Sequence, residues 1–341
     1  MGPHFLRNYF YVPITSFLIC SFAVEILRVA AHRLKILDDP SWRKIHQIPT
    51  PRLGGLAITL GLISAVFIVP IGELGSLGLW VGLLGALLLG LCDDIWGVHF
   101  KQKFCFQIVI GISAYVLGCR ILKLDIGVLG DVQLGMFSLP LTVFWFVACM
   151  NAINLVDGLD GLCVGIASVS IICLIGLSGN VLLCALLASL VGFWVYNYHP
   201  ASIFMGDSGS YSLGFLLSFF SIRILQTTEG EFKILPAVLI LGLPFLDMFL
   251  AVVRRWVNER PIFSADEGHI HHRLLRRDFS VPQVMFLLMS VQIIFCFAAY
   301  SLCIGTIWQT LAACLATLGL TYWMAAETFP QLKVRPNHPP T

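Results

Sequence analysis

Residues 77 to 103 read LGLWVGLLGALLLGLCDDIWGVHFKQK: sixteen uncharged, mostly apolar positions, then Asp93-Asp94, then Lys101 and Lys103. An apolar run of this kind closed by charge marks a helix that crosses a bilayer, since about 20 such residues cover a hydrocarbon layer of roughly 30 Å. Carboxylates at the end of such a run are costly to desolvate unless they serve a purpose. With the two lysines they place paired anions and cations in one short loop. That set suits Mg²⁺ and phosphate, because magnesium takes one or two carboxylates and leaves its other positions to water and substrate oxygens. The plainer alternative, a pair that only solvates a loop, does not explain why the acids adjoin the apolar run.

The rest of the chain has the same character. Of its 341 residues 58% are hydrophobic and 12% charged, against roughly 45–50% and 25% in soluble domains. An all-α, polytopic integral membrane protein is expected, a single transmembrane catalytic domain over residues 1–341. Candidate spans lie near 9–31, 54–71, 77–92, 104–119, 137–153, 162–178, 181–196, 209–225, 234–253, 282–303 and 305–326, eleven transmembrane helices in all. The first is too long for a signal-peptide core and lacks a small-residue cleavage site. Residues 120–136, with Gly127, Gly130 and Gly135, read as a short external hairpin. The 11 cysteines scatter through apolar runs with no Cys-x-x-Cys pair and read as buried thiols, not disulfides or zinc ligands. A net charge of +2 with no block of like charge excludes nucleic acid as a partner.

Orientation follows from the cations. Connections 32–53, 93–103, 154–161, 197–208 and 254–281, with the tail 327–341, hold fifteen Lys and Arg, whereas the opposite side holds four, Arg7, Arg120, Lys123 and Lys233. The first set is therefore expected in the cytoplasm, with the N-terminus outside and the C-terminus inside. Most of the acids fall on that same side, which the rule for basic residues does not require. An active site on the cytoplasmic face accounts for them.

Three further stretches carry chemistry. Asn151-Ala-Ile-Asn154-Leu-Val-Asp157-Gly-Leu-Asp160-Gly161 puts two amides and two acids between two spans. Asn154, Asp157 and Asp160 share a face if the helix persists, and the two acids project from a turn if it breaks at Gly158. Phe204-Met-Gly-Asp207-Ser-Gly209 sets an acid near a helix N-terminus; a simple cap is one reading, and glycines open to a phosphate beside an aromatic face are the other. Asp266-Glu-Gly-His269-Ile-His271-His272-Arg273 joins three histidines and an arginine within five residues, in a spacing unlike the common zinc sites. A phosphate-facing cluster is the better reading. Asp247 lies about two turns before Arg254, and a structural pair between them competes evenly with a substrate role.

In order, Asp39 through Gly55 with Pro49-Thr-Pro-Arg-Leu-Gly-Gly55, Asp93-Asp94, Asn151 to Gly161, Phe204 to Gly209 and His269 to Arg273 closely resemble the polyprenyl-phosphate N-acetylhexosamine-1-phosphate transferase family over about residues 36–277. The histidine segment, interrupted by Ile270 and followed by Arg273, is similar to the branch that transfers GlcNAc 1-phosphate from UDP-GlcNAc to undecaprenyl phosphate, releasing UMP. The resemblance implies Asp93 and Asp94 as central catalytic acids and Asp157, Gly158, Leu159, Asp160 and Phe204 around the uridine. It implies Lys44, Lys103, His269, His271, His272 and Arg273 on phosphate and sugar, and Asn154 and Asp207 as metal ligands to Mg²⁺, for which Mn²⁺ is a substitute. Its implied partners are a UDP-N-acetylhexosamine, a polyprenyl phosphate and membrane lipids, with a homodimer compatible. Its place is the cell inner membrane, where it would begin an envelope glycan such as lipopolysaccharide or teichoic acid. UDP-6-deoxyhexosamines are alternative donors.

Two rivals stand beside this reading. A secondary transporter is motivated by Asp247 and by the acids at span ends, although phosphate-binding loops on one face speak against alternating access. Asp157-x-x-Asp160-Gly161 also matches the opening of the CDP-alcohol phosphotransferase motif, but Cys163-Val164 stands where that motif has Ala-Arg.

Overall fold

A computed structural model describes residues 3–39, 48–69, 76–127, 130–259, 261, 268–305 and 307–328. The helices are α1 (Pro3–Leu34), α2 (Gly54–Ile63), α3 (Leu77–Trp96), α4 (Phe100–Val116), α5 (Ser138–Val156), α6 (Leu162–Ser178), α7 (Val181–Asn197), α8 (Gly206–Leu225), α9 (Ile234–Ile240), α10 (Gly242–Val257), α11 (Ile270–Leu275), α12 (Val281–Ile304) and α13 (Ile307–Thr328). Every expected span coincides with a helix or a helix pair. Among the described residues, five stretches are long and apolar enough to cross a membrane alone, and α9 with α10 makes a sixth if the bent pair is one span. The protein is a mostly helical, multi-pass membrane protein. Its outside is apolar, with Phe22, Phe67 and Trp308 bare, while Ser208, Ser210 and Gln292 are fully buried. That distribution suits a surface facing lipid.

Helix α8 is the hub, packed against α2, α3, α5 and α6. Small residues make this possible. A Cβ on Gly55 would lie 2.1 Å from the Gly209 amide nitrogen, and one on Gly90 would lie 2.3 Å from the Ser208 backbone. The backbones of α2, α3 and α8 therefore touch directly at the end of the bundle where the acids lie. Serines along α8 return hydroxyls to their own helix, as Ser212 does to Ser208 O at 2.6 Å and Ser218 to Phe215 O at 2.7 Å.

The span expected at 234–253 is not straight: α9 and α10 meet at 86°. Pro244 has no N–H to give to Ile240 O, so the helical ladder fails there. The buried amide of Gln292 on α12 fills the gap, donating to Ile240 O at 2.7 Å and accepting from Leu243 N at 3.1 Å. Ser170 Oγ adds a second donor to Ile240 O at 2.7 Å. Gly242 is required because a Cβ would fall 2.5 Å from the Phe295 ring.

Among the described residues, two small sheets complete the fold. Strands β1 (Leu37–Asp38) and β2 (Thr50–Pro51) pair antiparallel, Leu37 with Pro51 and Asp38 with Thr50. Residues 120–136 do contain a hairpin, β3 (Lys123–Asp125) with β4 (Asp131–Gln133), and β5 (Glu231–Lys233) adds to β3 in parallel, a third strand the sequence reading lacked. All eleven cysteines are free thiols.

Candidate active site

The site is built on the N-terminus of α8. Its first amides have no intrahelical partner, and Asp94, from the last turn of α3, supplies one: Asp207 N donates to Asp94 Oδ1 at 2.8 Å and Ser208 N to Oδ2 at 3.0 Å. Gly206 sits at φ +74°, and a Cβ there would strike Asp94 Oδ2 at 2.6 Å. Segment 50–55 is strapped alongside, with Phe204 N donating to Pro51 O (2.8 Å), Gly54 N to Phe204 O (3.0 Å) and Gly55 N to Met205 O (2.9 Å). Asp207 thus projects from a platform fixed by the Asp94 side chain of α3 and by backbone bonds to segment 50–55.

Around Asp207 the side chains form one network. Asn154 Nδ2, at the end of α5, donates to Asp207 Oδ1 at 2.8 Å and to Ser210 Oγ at 2.9 Å. Lys103, in the first turn of α4, binds Asp207 Oδ2 at 3.2 Å and pairs with Asp93 Oδ2. Asp93 also accepts from Val98 N at 2.7 Å. The two adjacent acids therefore do different work: Asp94 caps α8, and Asp93 holds Lys103. Asn151 is turned away, binding Gln107 Oε1 at 2.7 Å.

Helix α5 ends at Val156, so of the two conformations open to residues 151–161 the turn is the one adopted, and Asp157 and Asp160 project from it. Burial raises the Asp157 carboxyl well above the usual carboxylate range; the charges of Asp207 and Asp94 add to this, and Arg52 opposes it. Asp160 Oδ2 accepts from the Ala201 amide at 3.1 Å and pairs with His199 Nδ1 at 2.8 Å. The turn is thereby fastened to the segment leading into α8.

The histidine segment divides into separate positions. Asp247 binds it directly, not through Arg254: Asp247 Oδ2 lies 2.8 Å from His269 Nδ1, and Ile270 N donates to Oδ1 at 3.1 Å. His271 stacks parallel to His269 at 5.9 Å and tilts against His272 at 4.3 Å. Its Nε2 points at Gly158, where a Cβ would come within 2.8 Å. Burial, then the neighbouring His272, push the His271 imidazole down to about 3, so the ring is neutral at neutral pH. Arg273 Nε donates to Gly268 O at 2.8 Å. Lys44 lies outside the described residues.

These elements enclose a cleft of about 540 Å³. Of the residues singled out from the sequence, Asp94, Asp157, Gly158, Leu159, Asp160, Phe204, Asp207 and His272 line it. Asp93, Asn154 and Lys103 stand behind Asp207, while His269, His271 and Arg273 lie outside the lining and support His272 and the 157–161 turn. The sequence reading assigned no role to Arg52, Asp38, Asn197 and His199, which also line the cleft. Arg52 stood inside the quoted Pro49–Gly55 motif, but its partner Asp38 comes from another strand. His199 carried no signal beyond its neighbour Pro200.

Five carboxyl groups line the cleft together with the His199 and His272 imidazoles, and among the described residues no three His, Cys, Asp or Glu side chains form a closed metal cage. This fits magnesium, which needs one or two carboxylates and completes its shell from water and substrate phosphate.

Fold and cleft together define a multi-pass helical membrane protein with an acidic cleft at the helix ends. The chain belongs to the polyprenyl-phosphate N-acetylhexosamine-1-phosphate transferases, glycosyl transferase family 4, whose pattern residues 76–225 match. It is 37% identical over 309 residues, 87% of this chain and 86% of the relative, to a probable undecaprenyl-phosphate N-acetylglucosaminyl 1-phosphate transferase of Bacillus subtilis (strain 168). It is 34% identical over 321 residues, 83% of this chain and 80% of the relative, to a decaprenyl-phosphate N-acetylglucosaminephosphotransferase of Mycobacterium tuberculosis (strain ATCC 25618 / H37Rv). With an undecaprenyl-phosphate alpha-N-acetylglucosaminyl 1-phosphate transferase of Escherichia coli (strain K12) it shares 29% over 295 residues, 81% of this chain and 78% of the relative.

Proposed function

We propose that the protein transfers N-acetylglucosamine 1-phosphate from UDP-GlcNAc to undecaprenyl phosphate, releasing UMP, with Mg²⁺ as cofactor. The observation that carries the reading is the meeting of Asp207, Asn154, Lys103 and the 157–161 turn at one cleft beside Phe204. We place the cleft on the cytoplasmic face of the inner membrane, with eleven spans, the N-terminus and the 120–136 hairpin outside, and the C-terminus inside, on the fifteen-to-four distribution of Lys and Arg.

Two anions must approach each other in the cleft. Asp207 and Asn154 would hold Mg²⁺, which when bound would neutralise charge at the donor diphosphate. Lys103, fixed between Asp93 and Asp207, holds the Asp207 carboxyl in place. Phe204 offers a ring face for the base, and the amides and glycines at 157–161 set the height of the nucleotide. The acceptor, a phosphate monoester with a second pKa near 6, is largely dianionic at neutral pH, so it attacks without a base. Displacement at the sugar-bearing phosphorus forms the new P–O bond as the bond to UMP breaks, and no proton needs to move.

The test is UMP release by purified protein with Mg²⁺ and both substrates, with the lipid product identified by mass across a panel of UDP-sugars. Absence of UMP from folded protein refutes the transferase. Preference for a UDP-6-deoxyhexosamine retires GlcNAc alone. UMP formation or UMP/UDP-GlcNAc exchange without lipid acceptor refutes direct attack in favour of a covalent intermediate on Asp93 or Asp94.

A further inference from the structure

The cleft is lined by many more carboxyl groups than cationic side chains. Its described lining includes five aspartates, Asp38, Asp94, Asp157, Asp160 and Asp207, and one residue with a permanent positive charge, Arg52. Lys103 does not redress this, because it is engaged by Asp93 and Asp207 behind the wall. Substrates that carry phosphate into such a place need a cation that faces them.

Arg52 is built to be that cation. Its side chain pairs with Asp38, which is buried and pinned opposite Thr50 by the β1–β2 ladder. Its main chain is locked to the loop bearing Asp207: Pro51 O accepts from Phe204 N at 2.8 Å, and Arg52 O lies 2.8 Å from where a Gly206 Cβ would be. Position and orientation are therefore set before any ligand arrives. Resting on the transferase reading above, we propose that Arg52 binds a substrate phosphate in the transfer reaction, with Asp38 holding the guanidinium so that its remaining N–H groups take the phosphate oxygen. A guanidinium has five donors in a planar fork and can serve both anions at once, which an ammonium on a flexible stem does less well. The phosphate belongs either to the nucleotide donor or to the lipid acceptor; the recognition chemistry is the same.

The experiment uses the full-length protein with Mg²⁺, UDP-GlcNAc and undecaprenyl phosphate, and compares wild type with Arg52→Lys, Arg52→Gln, Asp38→Asn and the double variant Asp38→Asn/Arg52→Gln. Loss of one charge-assisted hydrogen bond predicts a KM raised about tenfold or more for one substrate in Arg52→Gln, partial recovery in Arg52→Lys, and no recovery in the double variant. If UDP affinity, measured by calorimetry, falls in parallel, the phosphate is the donor's; if it is unchanged while the acceptor KM rises, it is the lipid's. Unchanged kinetics in Arg52→Gln overturn the proposal. So does wild-type behaviour of the double variant, which would make Arg52 only the counter-charge of Asp38. Should Arg52→Gln not fold, Arg52→Lys decides, since it keeps the charge and loses the fork: equal KM values for both substrates then refute the assignment. An inactive wild type would instead refute the transferase reading.

Discussion

Acidification should loosen the protein through His271, and the size of the effect follows from its surroundings. The ring is buried beneath Gly158 and beside His272, and its pKa is held down to about 3 against 6.5 for a free imidazole. Between these values the unfolded chain binds a proton that the folded chain refuses, so stability is complete above pH 6.5 and is lost as pH falls through that value. At pH 5 the unfolded imidazole is 1.5 pH units into protonation, which costs about 2 kcal/mol relative to pH 7.5, at 1.36 kcal/mol per unit. Thermal unfolding in detergent at pH 7.5 and 5.0 should show a larger acid loss for wild type than for His271→Gln, by roughly that amount. Ring titration by NMR gives the same quantity directly. Equal pH dependence of the two proteins would mean that the ring takes up its proton in the folded state, and would refute the enclosed position described above.

Asp94→Asn removes one of the two acceptors that cap α8 and sets an NH₂ against a backbone N–H; we expect a loss of about 1–3 kcal/mol in thermal stability. Asp93→Asn leaves that cap intact and should fold and retain part of the UMP-releasing turnover. Asp207→Asn should fold but lose most Mg²⁺-stimulated activity, read as a flattened Mg²⁺ titration of UMP release, because it removes the carboxylate proposed to hold the metal. Gln292→Met strips Leu243 N of its acceptor at the α9–α10 break while Ser170 still serves Ile240 O; a loss of about 1–2 kcal/mol in heat-denaturation assays is expected.

Much of this was legible because a membrane constrains a sequence severely. Runs such as 77–92 announce helices by length alone, and acids where those runs stop announce the site, since lipid gives no other reason to keep them. What could not be read is what depends on a neighbour in space. Gly158 left residues 151–161 with two conformations, decided by the helix stop at Val156 and by the fastening of Asp160 to the 199–201 segment. Asp94 resembled its neighbour Asp93 in every respect the sequence offers, and only the position of α8 separates a cap from a lysine clamp. Residues 234–253 read as one span despite Pro244, and the 86° bend there depends on Gln292 from α12 to satisfy the freed backbone. A three-residue strand such as β5 carries no periodicity to detect.

Five motifs, spread from Asp39 to Arg273, converge on one cleft because of where each stands on its helix. Asp38 follows α1, Asp93 and Asp94 end α3, Asn154 and Asp157 end α5, and His199 follows α7; Gly54 opens α2, Lys103 α4, Gly161 precedes α6, and Asp207 opens α8. Helices that alternate in direction bring every second C-terminus and every second N-terminus to the same side. A chemical residue placed at each such end therefore meets the others without any long loop. The helix starts carry the positive end of the backbone dipole and unpaired N–H groups, suited to phosphate, while the helix stops supply the carboxylates that hold cation and capping amide. Alternation fixes which ends share a side, but not which helices are neighbours there. That second fact is decided by glycine contacts such as Gly55 with Gly209 and Gly90 with Ser208, which draw α2 and α3 onto α8 and so bring Arg52, Asp94 and Asp207 within one wall.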